Sequence, residues 1–204
     1  MYTLIHPTKC GGTACELFLS ENYSDFVFYT GHKTLCTNNN NPIIIVRDVL
    51  SRFFSMFKYW KYGGDYKYRR DEKFLSTFKN VTILDFICLL KNNRNNILCK
   101  DFTWEDHFKP TTHWINNTDY ENIIVIKYER DLNEKIQCLL EKLKIPNKGI
   151  VLPHINCSYV TKQDWLLFIK YREIIENFIK DFFKEDIEFL ACVENNPELF
   201  KLVI

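Results

Sequence analysis

Apolar and polar positions along this chain follow two alternating rhythms. Short apolar runs, rich in β-branched and aromatic residues, recur at Tyr2–His6, Asp25–Tyr29, Pro42–Val46 (PIIIV) and Ile123–Lys127 (IIVIK), each of strand length. The last two are unbroken rather than alternating, as expected of strands covered on both faces in a parallel sheet. Between the runs the spacing turns helical. Thr13–Ser20 puts Ala14, Leu17 and Phe18 on one side, Leu50–Trp60 is amphipathic, and Phe74–Leu90 and Asp131–Leu143 read as further helices. Thr161 and Asp164 stand at capping-box spacing before a long helix expected to reach about Phe183. Tyr62–Asp71 and Asp101–Trp114 read as loops.

Strands alternating with helices predict an α/β fold with a mostly parallel central sheet flanked by helices. With no internal repeat and no linker-like stretch, residues 1–204 are expected to form a single domain. Ligands of such sheets bind at the C-terminal ends of the strands. A glycine turn follows the first run, Gly31-His32 the second and Arg47 the third, so these groups are expected to meet on one edge. The turn lies within Leu4–Leu17 (LIHPTKCGGTACEL), which reads as strand, tight turn and helix start. A Gly-Gly pair there lets the backbone approach a ligand with its N–H groups, the helix dipole adds positive potential, and Lys9 adds a full charge. Together they describe a cradle for a multiply charged anion.

Composition narrows the class of ligand. A formal net charge of +1 argues against a general binder of polyanions such as nucleic acid, so a basic site must be local. The 17 Phe and 11 Tyr fall at periodic positions and read as core. Eight cysteines are scattered with no C-x-x-C pair, which argues against a zinc ribbon or a thioredoxin-like motif. No basic-then-apolar leader opens the chain and no apolar run has the length of a membrane span, so a cytoplasmic chain with reduced thiols is expected. No metal-ligand cluster is evident.

A nucleoside-triphosphate loop of the form G-x-x-x-x-G-K-S/T has its lysine after the second glycine. Here Lys9 precedes Gly11-Gly12, and no G-x-G-x-x-G is present. The order His6-Pro7-Thr8-Lys9-Cys10-Gly11-Gly12-Thr13-Ala14 instead resembles the H-x-P-K-T-G-G-T-S loop of sulfotransferases that use 3′-phosphoadenosine 5′-phosphosulfate (PAPS). Arg47-Asp48-Val49-Leu50-Ser51-Arg52-Phe53-Phe54-Ser55 is similar to their second signature, R-D-P-x-x-R-x-x-S. Phe28-Tyr29-Thr30-Gly31-His32 resembles the F-Y-x-G-H segment of the heparan sulfate 2-O-sulfotransferase branch. His107-Phe108-Lys109-Pro110 and Tyr128-Glu129 resemble further segments of the family. The departures are Pro7-Thr8 in place of x-Pro, Cys10 for Thr, Ala14 for Ser and Val49 for Pro.

The resemblance implies a three-layer P-loop-NTPase-like domain and transfer of a sulfo group from PAPS to an acceptor hydroxyl, with a saccharide as the acceptor. It makes Lys9 and His32 catalytic, Lys9 stabilising the leaving group and His32 acting as base, with no metal. It gives the phosphosulfate to Lys9, Cys10, Gly11, Gly12, Thr13 and Ala14, and the 3′-phosphate to Arg47 and Ser55. Ser158, with Asn156 and Lys162, is assigned from its position before the last long helix to a loop closing over the nucleotide. Ordinary alternatives stand beside each assignment. Lys9 could be a solvated surface lysine, Arg52 a structural ion-pairing residue, and His32, His107 and His113 groups that lock loops. Other acceptors within the class are a small alcohol and a protein tyrosine. Two rival functions are a catalytically inactive nucleotide-binding module, favoured by the hydroxyls lost at Cys10 and Ala14, and an atypical P-loop kinase.

Overall fold

The computed structural model describes residues 2–29, 41–63, 78–94, 108–115, 118–128, 131–153 and 159–204; His32, His107, Asn156 and Ser158 lie outside the described residues. In chain order the elements are β1 (Tyr2–Ile5), α1 (Gly12–Asn22), β2 (Val27–Tyr29), β3 (Asn41–Arg47), α2 (Val49–Tyr62), α3 (Ile83–Asn92), the single turn α4 (Thr111–Trp114), β4 (Ile124–Tyr128) and α5 (Leu132–Lys142). They continue with α6 (Lys162–Lys170), α7 (Arg172–Phe182), α8 (Lys184–Asn195) and β5 (Leu202–Val203). The chain divides into two compact units, one made of residues 1–48, 110–154 and 185–204, the other of 49–109 and 155–184.

The first unit is built on the sheet. Its strands lie in the order β2-β1-β3-β4-β5, and every described pair is parallel. The unbroken PIIIV and IIVIK runs account for this, because both of their faces are covered. Leu4, Ile43, Ile45, Ile124 and Ile126 point to one side and pack with Cys15, Phe18 and Leu19 of α1 and Ile136, Leu139 and Leu140 of α5. The alternate residues Ile5, Ile44, Val46, Ile123 and Val125 point to the other, against Trp114 of α4 and Phe189 and Val193 of α8. Each fully buried Ile, Leu or Val stabilises the fold by roughly 1.5–3 kcal/mol relative to exposure, so losing either helical cover would expose several such side chains.

The second unit is helical, and its core is largely aromatic. Phe53 of α2 packs on Phe86 of α3 at 5.8 Å and Phe178 of α7 at 5.5 Å between ring centroids. Trp60 lies 5.2 Å from Phe78 and 5.3 Å from Phe108, and Phe54 lies 4.1 Å from Phe168 of α6. Arg52 is buried to 1% exposure in this core and donates from Nη2 to the Lys109 carbonyl at 2.8 Å. The helices depart from expectation in three places. Within the predicted Phe74–Leu90 segment, Phe78 is helical and residues 79–82 interrupt the pattern before α3 starts at Ile83, where Thr82 and Asp85 form a capping box; residues 74–77 lie outside the described ones. The long helix after Thr161 breaks at Tyr171 into α6 and α7. The C-terminal pair α8 and β5 extends the first unit beyond the four strands read from the sequence. Among the described residues no helix is long and apolar enough to cross a membrane.

One buried polar cluster ties α2 to the start of α6. Asp164 accepts from Lys61 Nζ at 2.8 Å and from the Tyr62 hydroxyl, and its amide donates to Thr161 Oγ1 at 3.1 Å, the predicted cap. Burial pushes the Asp164 carboxyl up, but the hydrogen bonds from Lys61 and Tyr62, the Lys61 charge and the Thr161 hydroxyl outweigh it and hold the group below the usual carboxylate range. Its contribution is therefore present above the ordinary Asp value of about 3.9 and is lost as pH falls through the lower folded value. Lys61→Met, which leaves the carboxylate only the Tyr62 and Thr161 hydroxyls, is expected to cost about 1–3 kcal/mol in urea unfolding at pH 7. The deficit should shrink below about pH 4, and a deficit independent of pH would count against this account.

Candidate functional site

The strand order gives the first unit a topological switch point between β1 and β3. The chain leaves β1 towards β2 on one side, while β3 leads towards β4 on the other. In doubly wound sheets the crevice for ligands opens there, beyond the carboxyl ends of the two strands. The β1–α1 turn and Arg47 occupy those ends.

The turn is shaped by close packing. His6 continues the row that begins with Leu4 and is 2% exposed, with Nε2 at 3.8 Å from Glu16 Oε2 of α1. A Cβ placed on Gly12 would lie 1.8 Å from His6 Cγ and 2.4 Å from its Cβ, so the helix start rests directly on the imidazole. Gly11, the N-cap of α1, has φ +75°, and its Cβ would meet Leu132 Cδ2 at 2.9 Å and Tyr128 Cε1 at 3.3 Å. Lys9 is also left-handed, at φ 64°, an uncommon conformation for a residue with a Cβ. The strain is held in place from outside the turn, because Arg47 Nη1 donates to the Lys9 carbonyl at 3.2 Å.

The register of the sheet aims Arg47. It pairs with Tyr128 across β3 and β4, so both side chains leave the same face at the strand ends. They continue the rows Ile43, Ile45, Arg47 and Ile124, Ile126, Tyr128, and the guanidinium carbon lies 4.7 Å from the centre of the Tyr128 ring. Helix ends add further positive potential. No side chain caps the first amides of α1, and no acidic residue sits in its first turn. No side chain caps α5 either, but Asp131 at its N-cap and Glu134 in its first turn offset the potential there; its first residue, Leu132, is the one lying against Gly11. By contrast Thr82 and Thr161 cap α3 and α6. Uncapped amides and a guanidinium at one strand edge suit an anion.

The structure thus brings together Lys9, Gly11, Gly12 and Arg47, while Thr13 and Ala14, both half-buried, form the first turn of α1. Cys10 differs from expectation. Its side chain is fully buried in the core, with Sγ 3.8 Å from the Thr8 carbonyl, so only its backbone remains for a ligand. Ser55 is half-buried on α2, in the second unit. His113 is half-buried on α4, stacked edge-on against Trp114. Lys162 is the exposed first residue of α6. His32, His107, Asn156 and Ser158 lie outside the described residues. Among the described residues Cys15, Cys88, Cys138 and Cys192 are free thiols, and burial pushes the Cys15 thiol up to about 12.

The sequence reading attached no role to two residues here. Tyr128 stood only as part of a resembling dipeptide, and its stacking depends on strand register. Asp131, the N-cap residue of α5, has a buried Oδ1 with no hydrogen-bond partner among the described residues. A separate open groove of about 610 Å³ lies along α5, lined by Asn133, Gln137, Glu141, Lys144 and Asn147 among others. It contains none of the expected site residues, and its mixed charges single out no ligand. Compared with protein-family models, curated proteins and solved structures, the chain matches none.

The glycine seat makes a direct prediction. Gly12→Ala forces His6 or the turn to move and is expected to cost about 1–3 kcal/mol in chemical unfolding. Ala14→Ser, on the half-buried part of the same turn, should change stability by less than about 0.5 kcal/mol. Equal effects of the two substitutions would contradict the packing of Gly12 on His6.

Proposed function

We propose that the chain is a sulfotransferase with a P-loop-like fold, moving a sulfo group from PAPS to an acceptor hydroxyl, with saccharides as the acceptor class. One observation carries the reading. The arginine of the second signature donates to the carbonyl of the lysine in the first, across a sequence separation of 38 residues. Two motifs matched independently on resemblance would be expected to meet in this way if both hold one nucleotide with charge at two ends.

In the reaction so assigned, the acceptor oxygen forms a bond to sulfur as the bond from sulfur to the 5′-phosphate oxygen breaks. The electron pair leaves with the nucleotide, and the acceptor proton passes to His32. Such an in-line transfer depends on positioning and charge stabilisation. The Lys9 ammonium balances charge on the departing oxygen. The amides of Gly11 to Ala14 and the Thr13 hydroxyl hold the 5′-phosphate, while Arg47 takes the 3′-phosphate through its planar fork. The resemblance also implies a hydroxyl from Ser55 for the 3′-phosphate and a nucleotide-covering role for Ser158, which lies outside the described residues. Burial of Cys10 bears on the rival of an inactive module, because the missing hydroxyl there would not have faced the ligand.

Calorimetry with 3′-phosphoadenosine 5′-phosphate tests the reading. Arg47→Ala should weaken binding roughly ten- to a hundredfold, the scale of about 1.5–3 kcal/mol for a hydrogen bond to a charged group. His32→Ala should lower sulfate transfer from labelled PAPS to oligosaccharides by about 10²–10⁴ with nucleotide affinity unchanged. Preference for ATP over the 3′-phosphorylated nucleotide would point to a kinase instead. Tight binding without transfer to any hydroxyl acceptor would leave a nucleotide-binding module.

A further inference from the structure

We infer that Tyr128 is a positioning residue of this site, its ring being the seat on which both the Arg47 guanidinium and the Gly11 turn rest. The inference builds on the anion-site reading above and adds a residue that touches neither reacting atom. Three observations converge on the ring. Tyr128 is the register partner of Arg47 at the ends of adjacent parallel strands. The guanidinium carbon lies 4.7 Å from the ring centre, within cation–π range. On the other partner, a Cβ on Gly11 would come within 3.3 Å of Tyr128 Cε1 and 3.4 Å of Cδ1, so the glycine backbone already lies against the ring.

A flexible arginine exposed at a strand end samples many rotamers, and each must be given up when it grips an anion. Here two contacts remove that freedom beforehand. The aromatic ring fixes the plane of the guanidinium, and the Lys9 carbonyl takes one of its five N–H donors. A guanidinium held in one plane presents its remaining edge to a phosphate or sulfate in the geometry that bidentate bonding requires. The same ring limits how far the Gly11 turn can move, so one side chain sets the spacing between the two anion-binding elements. Tyr128 also packs against the core formed with α1 and α5. If it only filled that space, an aliphatic side chain of similar length would serve as well, and its effect on binding would not depend on Arg47.

The test combines Tyr128→Phe and Tyr128→Met with Arg47→Ala, with binding of 3′-phosphoadenosine 5′-phosphate measured by calorimetry. Tyr128→Phe should stay within threefold of the parent. Tyr128→Met should bind at least tenfold more weakly, yet change affinity less than threefold when Arg47 is already alanine. A ligand-free readout runs alongside: the Arg47 Nε–H resonance, shielded by the ring in the parent and in Tyr128→Phe, should return to the ordinary arginine range in Tyr128→Met. Parent-like binding by Tyr128→Met, an equal loss with and without Arg47, or an unshielded Arg47 resonance in the parent would each overturn the inference. If the parent does not bind the nucleotide, the function proposed above fails, and the resonance alone decides whether the ring seats Arg47. That parent resonance also decides the contact should Tyr128→Met fail to fold.

Discussion

The parallel register between β3 and β4 is the constraint on which the rest of the site depends. It sets Arg47 opposite Tyr128, and the period of two along each strand then sends both side chains to the face that carries α1 and α5. A slip of one residue would turn Arg47 to the opposite face and put Ile44 and Val46 where Ile43 and Ile45 pack against α1 and α5, undoing the packing on both sides of the sheet. The register is therefore held by the apolar residues, not by the charged one at the end. Hydrophobic pairing along the strands does the aiming, and the arginine is carried to its place.

The β1–α1 turn shows how contacts from outside a turn can hold a strained backbone. Lys9 and Gly11 both take left-handed conformations, and Gly12 leaves no room for a side chain above His6. Support comes from the Arg47 bond to the Lys9 carbonyl and from the Tyr128 and Leu132 side chains against Gly11. Turn, arginine and ring form one mechanical unit, so a change in any of them is expected to be felt by the other two.

Much of this fold could be read from the chain before any coordinates. The PIIIV and IIVIK runs announced strands covered on both faces, and the cap at Thr161 was visible from its spacing to Asp164. The glycine turn and Arg47 were placed at one edge by the simple rule that loops after parallel strands share a side. What failed depended on longer-range facts. The break at Tyr171 interrupts a continuous helical pattern with neither Gly nor Pro to mark it. β5 spans only two residues, too short for periodicity to register. Cys10 looked like a loop residue beside two glycines, and only the tight turn shows its thiol directed into the core. The stacking of Arg47 on Tyr128 needs a register that no single stretch of sequence contains.

The helical second unit enters the chain mainly between β3 and β4. Arg47 and Tyr128 are neighbours in the sheet, yet roughly 80 residues separate them in sequence. Closing a loop of that length instead of a minimal crossover of about a dozen residues costs roughly 1.7 kcal/mol more in chain entropy. That cost is modest for equilibrium but matters for the order of folding, because distant contacts form late. During synthesis the turn and Arg47 emerge first, in a half-sheet of β1, β2 and β3 that has no ring for the guanidinium to lie on. The candidate site becomes whole only when β4 arrives. A ligand of that site would select chains whose sheet is already closed, and would stabilise the finished fold over every partial one.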